Sequence, residues 1–371
     1  MNIIPWIAIG LALVAALALL AWRARRPRER EIFTLINRDG DTVVEAAPAL
    51  PPAGAPAAAT TAAASDALTP LQRVDALALG IDTPDTAAFS PGPASMQMLM
   101  HAGQEFARIG TEPRYTPRRP SLLPQLLDAV QDEGASLRAL SRIIAQDPAL
   151  TGELLRTANS ALYRVSGTPI ESVERAAAML GTQGLRTLIA AALVKPLSGA
   201  SVQGQGRFGE ITWEHSLYSA SAAEAWAGRN QDCDPFTAHL LGLMYGLGAV
   251  AVYRVMSDLY ARQGLRPDAA VIGYALETQA AVTARRIAGS WGLSERTQEA
   301  LEAQSAAAPS VEVTPLTRAL AFGRLAGALI VLCRHQLLSE AEGTRLLGTA
   351  GYQGQALDRI WDRLLRAYVR P

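Results

Sequence analysis

Four histidines, His101, His215, His239 and His335, are the side chains of this 371-residue chain best suited to hold a metal or to move a proton near neutral pH. Four are few for a multi-metal centre. From the residues alone, no Ser/His/Asp or Cys/His constellation assembles around any of them. The sequence has no G-x-x-x-x-G-K-[ST] loop to cradle phosphate. Gly242, Gly246 and Gly248 fall instead in an apolar helical pattern, where they favour close helix packing. Cys233 and Cys333 lie far apart, form no C-x-x-C pair and read as small buried hydrophobes of a reducing compartment. With 34 basic and 34 acidic residues the charge cancels, so nothing global draws the chain to nucleic acid, and no nucleic-acid partner is expected.

The elements that carry these residues are helices. At 49% hydrophobic and 18% charged, the composition is ample for a core. After Pro120 the punctuation becomes regular. Ser136 precedes a helix with Leu137, Leu140, Ile143 and Ile144 inward. Ser172 opens another that ends at Gly181, a left-handed position, and Thr182 starts a third, closed by Pro196. A loop is expected over 199–209, then helices over 213–228, 235–256, 268–276, 278–292 and 294–303. Thr314-Pro315 caps a long apolar helix reaching His335, and Ser339 to Glu342 is a capping box. Strand patterns are nearly absent and no fixed-period repeat exists. The fold class is all-α.

The most specific stretch runs from Gln146 to Tyr163. Asp147 can cap a helix whose first turn takes Pro148, and Leu150, Leu154, Leu155, Ala158 and Leu162 share one face. This string closely resembles the signature of the HDOD domain, a bacterial signalling relative of the HD metal-dependent phosphohydrolases. Leu122-Leu123-Pro124 resembles the family's opening, and Ala176 to Gly181 with Leu185-Arg186 its continuation. The resemblance covers about 120–305 and makes Asp147, Pro148, Leu154, Leu155 and Asn159 family-motif residues. Asp147 and Asn159 have two readings, as a polar pair that reads a ligand or as structural groups. The structural reading is preferred: Asp147 caps its helix and Asn159 hydrogen-bonds a neighbouring loop such as 165–170.

The resemblance also implies where metal ligands would stand in an HD enzyme. There a metal-held water must ionise near neutral pH and phosphate charge must be stabilised. His215, in Trp213-Glu214-His215-Ser216, matches the first histidine. The His-Asp pair would fall where Tyr245-Gly246 stands, the next histidine in a neighbourhood reading Thr278 to Val282, and the last pair near Gln304-Ser305. One retained ligand cannot hold a catalytic divalent ion, since even an open zinc site uses three. His239 precedes Tyr245 by six residues and belongs to another helix face. The expectation is therefore no catalytic residue, no metal and no cofactor, and a signalling module whose partner is another signalling protein. The alternatives are a degenerate HD phosphohydrolase or cyclic-dinucleotide phosphodiesterase, or a nucleotide sensor.

The N-terminus reads as a membrane anchor. Ile3 to Trp22 holds no charge, and about 20 helical residues span roughly 30 Å, a bilayer's hydrocarbon core. Arg23, Arg25, Arg26, Arg28 and Arg30 follow it and no Lys or Arg precedes it. The expectation is a single pass in the inner membrane with the bulk of the chain cytoplasmic. The expected organisation is an anchor over 1–30 and a disordered Ala/Pro linker over 31–67, with a short hairpin possible at 33–44. An extension or spacer over 68–115, an HDOD domain over 116–310 and packed C-terminal helices over 311–371 complete it.

Overall fold

The computed structural model of the chain describes residues 68–81, 93–112, 115–117, 119, 122–125, 137–146, 148–159, 170–194, 206–229, 233–305 and 313–370. The expected anchor, hairpin and linker, and Asp147, lie outside the described residues. Helix α1 (Pro70–Leu79) begins where the Thr69 hydroxyl accepts from the Gln72 amide while the Gln72 side chain accepts from that of Thr69. It ends at Gly80, whose φ of 74° favours a residue without Cβ. There follow α2 (Pro93–Arg108), α3 (Leu137–Ala145), α4 (Pro148–Ala158), α5 (Val173–Val194) and α6 (Gly206–Ala227). The remainder are α7 (Pro235–Gln263), α8 (Ala269–Ser290), α9 (Glu295–Glu302), α10 (Pro315–Arg334), α11 (Glu340–Thr349) and α12 (Gln355–Tyr368). No strand occurs among the described residues, and the fold is all-α.

Most boundaries follow local chemistry. Asp234 caps α7 through the Thr237 amide, Thr314 caps α10 through that of Thr317, and Ser339 caps α11 through that of Glu342. Three expectations need correction. Residues 206–209, read as loop, form the first turn of α6, because Phe208 is buried in the core and stacks on Tyr253 at 3.9 Å. Helix α7 continues seven residues past Met256 to a left-handed cap at Gly264. The two helices expected on either side of Glu277 are one, α8; the Thr278 hydroxyl, read as a helix start, donates back to the Tyr274 carbonyl within the helix. The break at Gly181 is real, with φ 71° and ψ 175°, though its ψ is extended and not that of a left-handed helical cap.

Helix α6 lies at the centre, packed on α7 along one side and α10 along another, with α8 against α7. Helices α7 and α10 are long and apolar enough to cross a membrane by length and composition, yet most of each is buried inside the fold. Small residues let the backbones meet. A Cβ at Gly242 would lie 2.5 Å from Ala220 Cα, and one at Gly327 2.6 Å from the Ser219 amide nitrogen. Helices α3 and α4 pack on α5, which joins the centre through α7. Helices α1 and α2, from the stretch read as an extension or spacer, pack on the same body: α1 on α6, α8 and α10, and α2 on α7 and α8.

Helix α4 carries the family-motif residues. Leu154 is fully buried, with Leu150 and Ala158, while Leu155 is half-buried. Asn159, just past its end, ties two segments together. Its amide group donates to the Leu155 and Ile170 carbonyls at 2.8 Å each, and its side-chain oxygen accepts from the Ile170 amide at 2.8 Å. Leu154→Ala is expected to cost about 2–5 kcal/mol through lost contacts and a cavity. Asn159→Ala is expected to cost roughly 1–3 kcal/mol, because the Ile170 carbonyl and amide lose their partner while the Leu155 carbonyl keeps the residue 159 backbone amide. Urea denaturation of the purified protein measures both, and a loss below about 0.5 kcal/mol for either would contradict these structural roles.

Candidate functional site

Four elements bring the expected ligand positions together. Helix α6 supplies His215, α7 supplies Tyr245 and Gly246, the turn after α9 supplies Gln304, and α10 adds Arg324, which the sequence reading did not single out. Arg324 joins the rest. Its Nη2 donates to the Tyr245 hydroxyl at 2.7 Å, and its guanidinium carbon lies 3.8 Å from the centre of the Tyr245 ring. Its Nη1 donates to the Gln304 carbonyl at 3.3 Å and to Gln304 Oε1 at 3.4 Å. Its Nε is buried with no hydrogen-bond partner. Gln304 in turn donates to the Ala300 and Thr317 carbonyls.

His215 completes the ring. Its Nε2 lies 3.0 Å from the Arg324 carbonyl oxygen, which only accepts, so Nε2 carries the proton. Burial pushes the imidazole down to about 4, assisted by the Arg324 charge and opposed by that hydrogen bond. It is neutral at physiological pH. Burial also raises the Tyr245 phenol, against the pull of Arg324. At Gly246 an added Cβ would sit 1.8 Å from Ser216 Oγ and 2.7 Å from Ser216 Cβ. Ser216 is itself fixed by donating to the Thr212 carbonyl at 2.6 Å. No carboxylate side chain fits at position 246 without moving α6 away from α7.

These residues do not suit a divalent metal ion. His215 keeps only its Nδ1 lone pair free and is a single ligand, the Gly246 position excludes a second, and the neighbouring guanidinium charge would repel a cation. No group of three His, Cys, Asp or Glu side chains comes together among the described residues.

A sixth residue closes the site from outside. Asp75 of α1 faces a small cavity, about 30 Å³, that Thr212, His215, Tyr245 and Arg324 also line. Such a space admits a water molecule but no nucleotide. Burial raises the Asp75 carboxyl to about 7, with Glu277 of α8 pushing the same way and Arg324 opposing. Asp75 sits on the inward stripe of Leu71, Val74 and Ala78, and Arg324 sits mid-way along an apolar helix. A charge on an apolar face was the available signal for both.

The remaining candidates stand apart from this site. His239 is fully buried, its Nδ1 2.9 Å from Glu224 Oε2 of α6, and the Thr187 hydroxyl donates to the same carboxylate. His335 pairs with Glu214 at 3.0 Å near the surface, and His101 is exposed on α2. Cys233 and Cys333 are buried free thiols, and burial raises each to about 11.

The charges at the site fix a pH dependence. Asp75, raised from 3.8 to about 7, stabilises the packed state fully below pH 3.8, and that contribution is lost as pH rises towards 7. His215, lowered from 6.5 to about 4, has the opposite slope, losing its contribution as pH falls from 6.5 towards 4. Comparing wild type with Asp75→Asn isolates the first. The variant is expected to gain stability relative to wild type between pH 5 and pH 8, read by denaturation at each pH. A difference that stays flat across that interval would show that Asp75 is not held in this environment.

A family model described as HDOD domain matches residues 116–307. Comparison with curated proteins found no match. Among solved structures, an HDOD domain protein with unknown function from Geobacter sulfurreducens is 17% identical, with 74% of this chain and 99% of that one covered and a TM-score of 0.49. A protein from Shewanella amazonensis provisionally named a metal-dependent phosphohydrolase is 18% identical over the same shares, also at 0.49. A provisionally named signal transduction protein from Marinobacter aquaeolei is 20% identical, with 74% of this chain and 63% of that one covered, at 0.49. The family match takes in His215, Tyr245, Gly246, Gln304 and the Asn159 motif, and the chain belongs to the HDOD domain family.

Proposed function

We propose that this protein is a non-catalytic HDOD signalling module, tethered to the inner membrane by its N-terminal segment and acting through contacts with another signalling protein. The observation that carries the reading is the Arg324 guanidinium stacked on Tyr245, with its backbone carbonyl holding His215 Nε2. A guanidinium, a tyrosine, a glycine and a glutamine stand where further ligands would be needed, so His215 alone is left of the donor set that a metal-bound water requires. The Tyr245 hydroxyl is engaged by Arg324 and so is no free base. The hydrophobic run over 3–22, with arginines on one side only, supports the tether.

Hydrolysis provides the test. Purified protein is expected to contain no stoichiometric Fe, Mn or Zn, and to leave cyclic dinucleotides and bis(p-nitrophenyl) phosphate uncleaved with or without added metal. About one equivalent of metal, with phosphodiesterase activity that His215→Ala abolishes, would overturn the reading in favour of a degenerate phosphohydrolase. Fractionation tests the tether separately: full-length protein is expected with the inner membrane, and removal of residues 1–30 is expected to release a soluble, folded remainder. Affinity capture from the native membrane, with Asn159→Ala as control for folding, then identifies the partner.

A further inference from the structure

Helix α1 is unlike the other elements around the pocket. It lies outside the family match, it is ten residues long, and it carries both of its own stop signals in the Thr69–Gln72 capping box and Gly80. It buries Val74, Ala76, Leu77 and Ala78, two of them alanines, and packs Leu71 and Leu79 partly against the core. Its polar ties lie at the rim, where Gln72 donates to the Glu277 carboxylate at 3.3 Å and Arg73 to the Leu337 carbonyl at 2.6 Å. Both bonds are solvent-exposed, and such ties add little. At the centre of this contact sits a carboxylate over a pocket floored by Arg324, whose Nε lacks a partner.

We propose that α1 is a releasable latch on this pocket, and that the seat it leaves between α6, α8 and α10 takes a partner helix of the same chemistry, an aliphatic stripe with one carboxylate at its centre. The proposal rests on the non-catalytic, protein-binding reading, and it names both the surface and the gate. The charge pattern argues for that occupant. Apolar side chains of α1 and α8, Leu71, Val74 and Leu276, wall a cavity that Asp75 and Arg324 also line. A competitor without a polar side chain at that point would leave Arg324 facing an apolar surface, a cost that α1 does not incur.

Hydrogen exchange on the full-length protein tests this. Amides of α1 are expected to exchange at least tenfold faster than those of Leu240 to Val252 in α7, reflecting opening without global unfolding. Asp75→Arg, which sets two cations together, is expected to raise α1 exchange a further tenfold while α7 is unchanged. A fluorescein-labelled peptide of residues 66–81 is then expected to bind full-length Asp75→Arg and not wild type. The same peptide carrying Asp75→Arg is expected to bind neither, and the swap Asp75→Arg with Arg324→Asp to restore slow exchange. The latch is overturned if α1 exchanges in step with α7 in the wild type, or if folded Asp75→Arg keeps α1 in place or fails to take the peptide. Failure of Asp75→Arg to fold also counts against it, since a releasable element cannot bring down the core. Metal-dependent hydrolysis would defeat the functional reading while leaving these results standing, so the two failures are separable.

Discussion

The close approach of α6 to α7 and α10 sets the terms for everything around it. Gly242 and Gly246 on α7, and Gly323 and Gly327 on α10, face Ser216, Ser219, Ala220 and Ala223 on α6 at distances that exclude a Cβ. Backbones packed this tightly gain many dispersion contacts, and they permit few alternative registers. The same constraint shapes the site. It removes the space for a carboxylate at position 246, and it brings Arg324, next to Gly323, over the Tyr245 ring. Tight packing and the unusual chemistry of the pocket share one physical origin.

Helix starts were legible wherever a cap is a local event. Thr314, Ser339 and Asp234 each bind an amide three residues on, which needs nothing from the rest of the chain. The errors arose where tertiary contact or an internal bond overrode a local cue. Gly206 and Gly209 read as loop, yet Phe208 between them is drawn into the core and carries them into α6. Thr278 has the side chain of a cap, but its hydroxyl finds the Tyr274 carbonyl one turn back. Neither outcome follows from a window of residues.

The candidate site divides in the same way. His215, Tyr245, Gly246 and Gln304 were found because a family resemblance placed them, and all four lie within residues 116–307. Asp75 and Arg324 lie on either side of that span and meet the others only after folding. Their trace in the sequence was a breach of pattern: one acid on the apolar stripe of a short helix, and an arginine in the middle of a long helix whose neighbours on either side are apolar or small. Charges that defy their local environment mark places where something other than stability decided the residue.

Glu224 breaks the pattern too, as an acid in the run Ser221-Ala222-Ala223-Glu224-Ala225-Trp226, and its partner His239 is fully buried. The comparison separates two uses of a buried charge. Glu224 and His239 meet at 2.9 Å between α6 and α7, in the most tightly packed part of the molecule, and opening that contact would require the central helices to part. Glu224 also accepts from Thr187 of α5, so the contact ties three helices together and favours this register. Asp75 and Arg324 meet at the edge, beneath ten residues of helix with four buried side chains. The inner pair lies between two long central helices, so it specifies the fold. The outer site is covered on one side by a single short helix, and that difference in position is why the proposed latch falls there and not on the inner pair.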